Sequence, residues 1–147
     1  MRPAGEGDLP ALVPLVRAYL RFYEVSDDAA RTEALCRALL GDPDREGVQL
    51  LARDASGTAV GFATVYWTWA TTRLGRLAVM NDLFVDPAAR GSGAADALIR
   101  ACRDLARDHG AVALEWETAP DNRRAQKVYD RVGGQRSQWL SYELSTG

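Results

Sequence analysis

The chain has 147 residues, 47% of them hydrophobic and 26% charged, which is the composition of a folded globular protein and argues against a disordered one. Its length suits one domain, so we expect residues 1–147 to fold as a single unit. A net charge of −2 provides no attraction to nucleic acid or to an anionic membrane, and no apolar run approaches the roughly 20 residues that span a bilayer.

The first half of the chain is predicted to begin with two helices and to continue as strands. Asp8 is a good N-cap residue, and the apolar residues after it recur at helical spacing as far as Tyr23. A second helix is predicted over residues 29–40, where Gly41-Asp42-Pro43 stops it. The β-rich runs that follow are short and end at turn residues, as strands do. The predicted strands are residues 48–53, 60–69 and 76–85.

The second half alternates between helices and strands. Residues 94–109 carry a helical apolar face and end at His109-Gly110, where glycine commonly terminates a helix. We expect the strands 60–69 and 76–85 to pair as an antiparallel hairpin, and a right-handed crossover to make residues 112–117 parallel to the second of them. This order predicts an α/β fold around one mixed sheet. The remaining predicted elements are a helix over residues 122–132 and a final strand over residues 135–144.

Cysteine and histidine usage does not support a metal site. Cys36 and Cys102 lie in helical apolar patterns, and His109 is the only histidine. Neither cysteine has the spacing of a metal ligand, so we predict no bound metal. Buried, reduced thiols are typical of cytoplasmic proteins, and no basic segment followed by an apolar run indicates secretion. We therefore expect a cytoplasmic protein.

The strongest candidate for a ligand site is the turn that precedes the 94–109 helix. Its sequence is Arg90-Gly91-Ser92-Gly93-Ala94-Ala95. Small residues let backbone N–H groups approach a ligand, a helix start favours negative charge, and arginine adds a cation for phosphate oxygens. A P-loop requires a lysine after its second glycine, and a dinucleotide fingerprint requires a third glycine near the first strand. Both are lacking, so the turn alone predicts another kind of pyrophosphate site, or a tight turn without a ligand.

Two motifs carry a resemblance to a known family. Within residues 79–95, Arg90, Gly93 and Ala95 match the form Arg/Gln-x-x-Gly-x-Gly/Ala. Residues 122–133 match the pattern Asn-x-x-Ala-x-x-x-Tyr-x-x-x-Gly. Both motifs, in this order, resemble those of the GNAT superfamily of N-acetyltransferases, and Arg2-Pro3-Ala4 resembles the end of that family's first strand. The residues that match the second pattern are Asn122, Ala125, Tyr129 and Gly133.

The resemblance implies a fold and a cofactor. The fold is GNAT-like, with a central, mostly antiparallel sheet, one splayed parallel strand pair and about four flanking helices. The cofactor is acetyl-CoA as a co-substrate, with its pyrophosphate at the turn 90–95 and its pantetheine along a strand that offers backbone N–H groups. The residues assigned to the cofactor in this way are Leu83, Phe84, Val85, Arg90, Gly91, Ser92, Gly93, Ala94, Ala95, Asn122 and Ala125.

Tyr129 is the candidate general acid. A phenol has a pKa of about 10, comparable with that of a thiol, so it can protonate the departing thiolate. Asn122 and Tyr129 share one helix face, and Asn122 can bind the pantetheine amide or cap the helix. No cysteine accompanies Tyr129 in the motif. We therefore expect the amine to attack acetyl-CoA directly in a ternary complex.

The acceptor side departs from the most similar family members, the spermidine/spermine acetyltransferases and related small-amine enzymes. Those usually carry Glu-Asp where this chain has Asn81-Asp82. Neighbouring strand residues face opposite sides of a sheet, so we place Asn81 in the acceptor site by its family position and leave Asp82 as either structural or substrate-binding. An amide cannot act as a base. Carboxylates that could do so, through water, are Glu24, Asp82, Glu115 and Glu117.

An amine pocket is predicted from aromatic and acidic side chains. Tyr23 and Glu24 lie between the first two helices, and Trp67 and Trp69 lie in the hairpin. Together they could hold an ammonium group by ion pairing and cation–π contact. The alternative is that the tryptophans belong to the core. The residues assigned to the substrate are Tyr23, Glu24, Trp67, Trp69 and Asp82.

The predicted function is transfer of an acetyl group to the primary amine of a small molecule, such as a diamine, a polyamine or an amino-acid-like compound. Because Asn81 stands where the related enzymes carry an acidic residue, an alternative function is that of a non-catalytic acyl-CoA-binding sensor or interaction module. Protein N-termini or lysines are rival acceptors. The resemblance also implies a homodimer, with Trp139 and Tyr142 of the final strand at its interface.

Overall fold

A four-stranded sheet organises most of the chain. The computed structural model describes all 147 residues and divides them into two units, Met1–Glu117 and Thr118–Gly147, which are described in turn. The sheet and three of the helices belong to the first unit. No helix in either unit has both the length and the apolar character that crossing a membrane requires.

The elements of the first unit begin and end where local sequence signals predict, to within one or two residues. Asp28 caps the second helix, because its Oδ1 accepts a hydrogen bond from the Arg31 N–H at 3.1 Å. Gly110, with a φ of +77°, follows the third helix in the left-handed conformation that ends helices. In chain order the elements are α1 Leu9–Phe22, α2 Ala29–Gly41, β1 Gly47–Arg53, β2 Ala59–Ala70, β3 Gly75–Val85, α3 Ala94–Asp108 and β4 Ala111–Glu115.

The sheet has the strand order β1-β2-β3-β4. β1 and β3 pair with β2 in antiparallel fashion, whereas β3 and β4 are parallel, so the predicted mixed sheet with one parallel pair is confirmed. The β2–β3 ladder contains a β-bulge: Thr64 pairs with Asp82, but Val65 pairs with Met80. Asn81 is therefore an extra residue on β3, and the bulge locally reorients the side chains around it.

The two faces of the sheet cover separate cores. Phe62 is fully buried on one face, where its ring meets Tyr19 of α1 at 5.7 Å and Phe84 of β3 at 6.2 Å. Trp67 lies five residues further along β2 and so faces the other side, where it stacks on His109 at the end of α3. The first core consists of Leu9, Leu12, Leu15, Val16, Cys36, Leu51, Phe62 and Phe84.

The start of the chain is tied to β1 by a single bridge rather than by a full strand. Pro3 bridges Leu50, and the Ala4 N–H donates to the Gln49 carbonyl at 2.7 Å. The buried carboxylate of Asp8 holds this segment, because it accepts from the Gly5 N–H at 3.0 Å and pairs with Arg53 at 3.0 Å.

The second unit contains one helix, α4 (Arg123–Arg131), inside the predicted range 122–132. The predicted final strand over residues 135–144 is wrong: these residues form no strand and take part in no β-ladder. Apolar alternation indicates which side chains share a face, but a strand also needs a neighbouring backbone to satisfy its N–H and C=O groups. The large apolar side chains of this segment are exposed: Trp139, Leu140, Tyr142 and Leu144.

Candidate active site

The turn between β3 and α3 presents an uncapped helix start. Gly91 and Gly93 have φ values of +85° and +84°, a conformation that glycine adopts without strain. Gly93 occupies the N-cap position of α3 and, having no side chain, makes no side-chain cap. A Cβ atom built at either glycine would meet nothing within 4 Å. The turn is therefore open around both glycines, and the first N–H groups of α3 have no side-chain cap, which suits an anion site.

Arg90 is held at the edge of this turn. Its Nε donates to the Val85 carbonyl at 3.4 Å, and its guanidinium carbon lies 5.7 Å from the centroid of the Phe22 ring. Arg90 forms no salt bridge with any carboxylate of the chain. The aromatic ring and the carbonyl fix the position of the cation without neutralising it, so its charge is available to a phosphate group.

β3 has one edge without a neighbouring strand in its second half. Its pairing with β4 ends at Val79 and Glu115, while β3 itself continues to Val85. Hydrogen-bonded pairs alternate in an antiparallel ladder, and the Asp86 N–H donates to the Val60 carbonyl, so Phe84 is bonded to β2 while the backbone groups of Leu83 and Val85 point to the open edge. The Leu83 groups and the Val85 N–H can therefore bind an extended ligand, whereas the backbone of Phe84 is used in the sheet and its side chain is buried in the core.

The β-bulge brings Asn81 and Asp82 into contact. Nδ2 of Asn81 donates to Oδ1 of Asp82 at 3.0 Å. Strict alternation predicted that only one of these two side chains reaches the acceptor site. The bulge interrupts the alternation at Asn81, so both side chains can reach the same side of the strand. Asp82 has no cationic partner within the chain, so the bulge carries one uncompensated carboxylate with an amide fixed beside it.

A row of polar residues crosses the sheet at Asp82. Gln49, Thr64 and Asp82 are successive partners on β1, β2 and β3, and Gln49 Nε2 donates to Thr64 Oγ1 at 3.3 Å. Burial raises the pKa of Tyr66, which shares this face, and the negative charge of Asp82 adds to the rise. Burial likewise raises the pKa of the Cys36 thiol. Both groups are therefore protonated at neutral pH, and Asp82 is the charged group of the row.

Trp67 and Trp69 lie on the opposite face of the sheet from Asp82. Trp67 is buried and stacks on His109, with ring centroids 3.9 Å apart and planes 13° from parallel. Trp69 is exposed and lies under the Arg76 guanidinium at 5.1 Å. Nη2 of Arg76 lies 3.0 Å from Nε2 of His109 and can donate a hydrogen bond to it.

The structure does not assemble the predicted four-residue amine pocket. Tyr23 packs against Tyr19 at the end of α1, and Tyr19 in turn contacts Phe62 on the α1 face of the sheet. The two tryptophans project from the α3 face, because odd and even residues of β2 alternate. Glu24 follows α1 in a left-handed conformation with a φ of +57° and is exposed.

The remaining candidate carboxylates are exposed as well. Glu115 pairs with Arg73 at 2.6 Å, so its charge is compensated. Glu117 follows β4 and is exposed. Neither lies on the polar row that contains Asp82.

In the second unit, the family-like pattern coincides with a capped helix. Oδ1 of Asn122 accepts from the Ala125 N–H at 3.2 Å, which is an N-cap. Gly133, at a φ of +88°, ends the helix, and the Gly134 N–H closes it on the Tyr129 carbonyl at 2.9 Å. Asn122 therefore has the capping role that the sequence left open, and Tyr129 lies between the two caps in the last turns of α4.

Sequence reasoning missed a cleft of about 470 Å³ between α2 and β2. Its walls include Leu35 and Leu39 of α2 and Tyr66 of β2. The acidic residues Asp42 and Glu46, in the turn between α2 and β1, also line it. Because side chains alternate along β2, Tyr66 lies beside Thr64 on the face that carries Asp82. The sequence could have predicted this placement only together with the pairing of β2 and β3.

No three side chains among the histidines, cysteines and carboxylates converge as a metal site would require. Both cysteines are buried, and burial raises the pKa of Cys102 to about 12. Neither is a thiolate at neutral pH, so neither has the character of a reactive nucleophile.

Comparison with known proteins gives a consistent result. The model of the acetyltransferase (GNAT) family matches residues 12–134. An uncharacterized N-acetyltransferase of Bacillus subtilis (strain 168), YhfO, is 35% identical over all of this chain and 91% of its own length. The thialysine N-epsilon-acetyltransferase of Bos taurus is 26% identical over 92% of this chain and 83% of its own.

Solved structures agree with these sequence matches. The crystal structure of a probable acetyltransferase superposes with a TM-score of 0.89 at 28% identity, covering 100% of this chain and 99% of the other. Aminoglycoside N-acetyltransferase AAC(6')-Iy in complex with CoA superposes with a TM-score of 0.83 over 99% of this chain and 93% of the other. At 20% identity, that second likeness is one of fold.

Proposed function

Because the chain belongs to the GNAT family of acetyltransferases and is an acetyl-CoA-dependent N-acetyltransferase, we propose that its acceptor is the primary amine of a small molecule. The observation that carries this proposal is the Asp82 carboxylate, which lies at a bulge of β3, has no salt-bridge partner in the chain, and belongs to the part of β3 that no longer pairs with β4. An uncompensated carboxylate attracts an ammonium group. We take residues 1–147 as one N-acetyltransferase domain, since the family match crosses both units.

Acetyl-CoA is proposed to bind along the β3 edge and the following turn. Its pyrophosphate accepts hydrogen bonds from the backbone between Gly91 and Ala95, with Ser92, Gly93 and Ala94 included, and the Arg90 guanidinium adds its charge. Its pantetheine amides pair with the backbone groups of Leu83 and Val85 that point to the open edge, while Phe84, between them, anchors the strand in the core. Asn122 and Ala125 are proposed to complete the cofactor site. Support comes from the uncapped start of α3 and from the end of β3–β4 pairing at Val79.

The proposed reaction is a direct attack in a ternary complex. The acceptor ammonium first loses one proton to Asp82 or to water beside it, and the amine nitrogen then forms a C–N bond to the thioester carbonyl carbon. The C–S bond breaks, the sulfur leaves with its electron pair, and Tyr129 donates the proton that yields CoA thiol. The nitrogen releases its second proton to solvent, and Tyr129 is reprotonated from solvent. Burial keeps Cys36 and Cys102 protonated, which supports the absence of an acetyl-enzyme intermediate.

Asn81 is proposed to act on Asp82 and on the acceptor rather than as a base. Its amide cannot take a proton at neutral pH, but its hydrogen bond to Asp82 Oδ1 orients the carboxylate. Its carbonyl oxygen remains available as an acceptor for the amine.

The test is CoA release with a panel of small amines and with a lysine-containing peptide, followed by the same assay on Tyr129→Phe. We expect turnover with small amines, and a loss of about 100-fold or more in kcat for Tyr129→Phe with CoA affinity retained by calorimetry. Lys127→Gln, an exposed residue of the same helix, is the control and should leave kcat unchanged. Turnover of the peptide alone would assign the enzyme to protein acceptors, and CoA binding without turnover of any amine would indicate a sensor.

A homodimer is part of the proposal. Residues 135–144 expose Trp139, Leu140 and Tyr142 to solvent, and an apolar segment of this kind is stabilised when a partner covers it. Light scattering after gel filtration should give twice the chain mass, and Trp139→Ser with Leu140→Ser should halve it. A monomeric mass at all concentrations would refute the homodimer and leave the catalytic proposal unaffected.

A further inference from the structure

Two of the four polar side chains that are buried in this protein lie side by side in the sheet. The four are Asp8, Thr32, Gln49 and Thr64. Asp8 holds the first residues of the chain, and the Thr32 hydroxyl donates to the Asp28 carbonyl at 2.7 Å within α2. Gln49 and Thr64 are 2% and 1% exposed and lie inside strands, where no helix end or turn needs them. This pair therefore lacks the local structural role that explains the other two.

The pair of Gln49 and Thr64 is costly for stability. Nε2 of Gln49 donates to Oγ1 of Thr64 at 3.3 Å, but the buried Oε1 of Gln49 has no hydrogen-bond partner among the protein's groups. A buried acceptor without a partner destabilises a fold, whereas two apolar side chains of similar shape avoid that cost. The next row of the same face has such an apolar pair, Leu51 and Phe62. A local arrangement that works against stability points to a role in function.

The hydrogen bond from Gln49 determines where the Thr64 hydroxyl proton goes. A hydroxyl has one proton to donate, and the amide nitrogen of Gln49 cannot accept it. Bulk solvent does not accept it either, because Thr64 is buried. On its other side, the polar neighbour of Thr64 is Asp82, its partner in the β2–β3 ladder. Gln49 therefore leaves the Thr64 proton for the Asp82 carboxylate.

The Asp82 carboxylate lies within reach of that proton. Paired residues of an antiparallel ladder share one face, with Cβ atoms about 5 Å apart, a distance that a hydroxyl and a carboxylate bridge directly or through one water molecule. Burial raises the pKa values of Cys36 and Tyr66 on this face, and the charge of Asp82 adds to both rises, as expected for a carboxylate that faces them. Asn81 already donates to Oδ1 of Asp82 at 3.0 Å, which leaves Oδ2 for a second donor.

We propose that Thr64 is a positioning residue for acetyl transfer and that Gln49 orients it. Thr64 donates to Oδ2 of Asp82 while Asn81 donates to Oδ1, so the carboxylate is held from two sides and its remaining lone pairs receive the acceptor amine. A base must lie within hydrogen-bond distance of the proton that it removes, so a fixed carboxylate raises kcat more than substrate affinity. The inference rests on the proposed function, in which the ammonium proton moves to Asp82 or to water beside it and the electron pair stays on nitrogen.

The first experiment measures kcat and KM by CoA release, with the small amine that wild type acetylates fastest. Thr64→Val keeps the shape of the side chain without its hydroxyl, and should lower kcat about 10-fold while KM stays within about twofold of wild type. Thr64→Ser keeps the hydroxyl and should restore kcat to within about threefold of wild type. Thr68→Val makes the same change at an exposed position of β2 and is the matched control, with kcat unchanged. An unchanged kcat in Thr64→Val would overturn the inference.

A double variant separates positioning from folding. Thr64→Val alone leaves the Gln49 amide without its partner and should lower the urea midpoint of unfolding. Gln49→Leu with Thr64→Val replaces both groups by apolar ones and should return the midpoint to that of wild type or above it. The double variant should nevertheless remain about 10-fold slow in kcat. If kcat recovered together with the urea midpoint, the pair would be structural only and the inference would be refuted.

The Asp82 side chain provides a readout that does not depend on turnover. Three-bond NMR couplings report which of the staggered χ1 rotamers a side chain occupies. In the ligand-free protein, wild type and Thr64→Ser should each show one Asp82 rotamer, and Thr64→Val should show an average over several. One rotamer in all three proteins, or averaging in wild type, would count against the inference. If wild type acetylates no small amine, the proposed acceptor class fails, and the couplings alone support or refute the hold of Thr64 on Asp82.

Discussion

Replacing Asp8 with asparagine tests how the first residues are fastened to the sheet. The carboxylate accepts from the Gly5 N–H at 3.0 Å and pairs with Arg2 at 2.8 Å and Arg53 at 3.0 Å. The backbone bond contributes about 1 kcal/mol as a cap-like, charge-assisted interaction. Each arginine is partly exposed and contributes roughly 0.5 kcal/mol. We therefore expect Asp8→Asn to lower the free energy of unfolding by about 2 kcal/mol at pH 7, and the melting temperature by several degrees.

The pH dependence of this loss follows from the lowered pKa of Asp8. The Gly5 N–H is the largest cause, and the two arginines add to it. Because the folded-state pKa lies below the unfolded value of about 4, the stabilisation is fully present above pH 4 and is lost as pH falls through the folded-state pKa. The difference between wild type and Asp8→Asn should thus be largest at neutral pH and shrink in acid.

Urea unfolding followed by tryptophan fluorescence, at pH 7 and at steps down to about pH 3, measures this difference. Asp108→Asn serves as the control, since that carboxylate is exposed and should change stability by less than about 0.5 kcal/mol. A loss at Asp8 below about 0.5 kcal/mol at pH 7, or a loss that stays constant into acid, would refute the reasoning.

Three further substitutions have defined outcomes. Phe62→Ala removes a fully buried ring and should cost about 3–5 kcal/mol in urea unfolding; a cost under about 2 would contradict the packing. Gly93→Ala, at a φ of +84°, should lower the free energy of unfolding by about 1 kcal/mol through backbone strain and should weaken CoA binding measured by calorimetry. An unchanged CoA affinity would show that the pyrophosphate does not bind at this turn. Trp67→Phe removes the hydrogen bond from the indole N–H to the Pro43 carbonyl and should lower the free energy of unfolding by about 1–2 kcal/mol; a loss under about 0.5 kcal/mol would show that this bond does not hold the turn.

Local elements of this protein were predictable from sequence because their signals are local. The helix predicted over residues 94–109 is observed as Ala94–Asp108, and the strand predicted over residues 76–85 as Gly75–Val85. Each follows from apolar periodicity and from glycines at the ends. The parallel pairing of β3 and β4 was predictable as well, since a strand, a helix and a neighbouring strand in sequence form a right-handed crossover that makes the two strands parallel.

Features that depend on the alignment of two strands were not predictable. The bulge at Asn81 exists only because Thr64 pairs with Asp82 while Val65 pairs with Met80, and a single strand contains no sign of that jump. The strand predicted over residues 135–144 failed for a related reason. Its side chains alternate suitably, but the structure provides no partner backbone for it, and the alternation contains no information about one.

The tryptophans of β2 show how much a site prediction depends on knowing which face of the sheet each strand residue occupies. The sequence interpretation combined aromatic and acidic residues into an amine pocket, but composition cannot say which face of the sheet each of two adjacent residues occupies. Trp67 faces α3, while Tyr66, one residue earlier, lies on the same face of the sheet as Asp82. Trp67 holds the turn between α2 and β1, because its indole N–H donates to the Pro43 carbonyl and its backbone N–H donates to the Glu46 carbonyl. A change at Trp67 should therefore displace that turn, whereas a change at Tyr66 should alter the face of the sheet that carries Asp82.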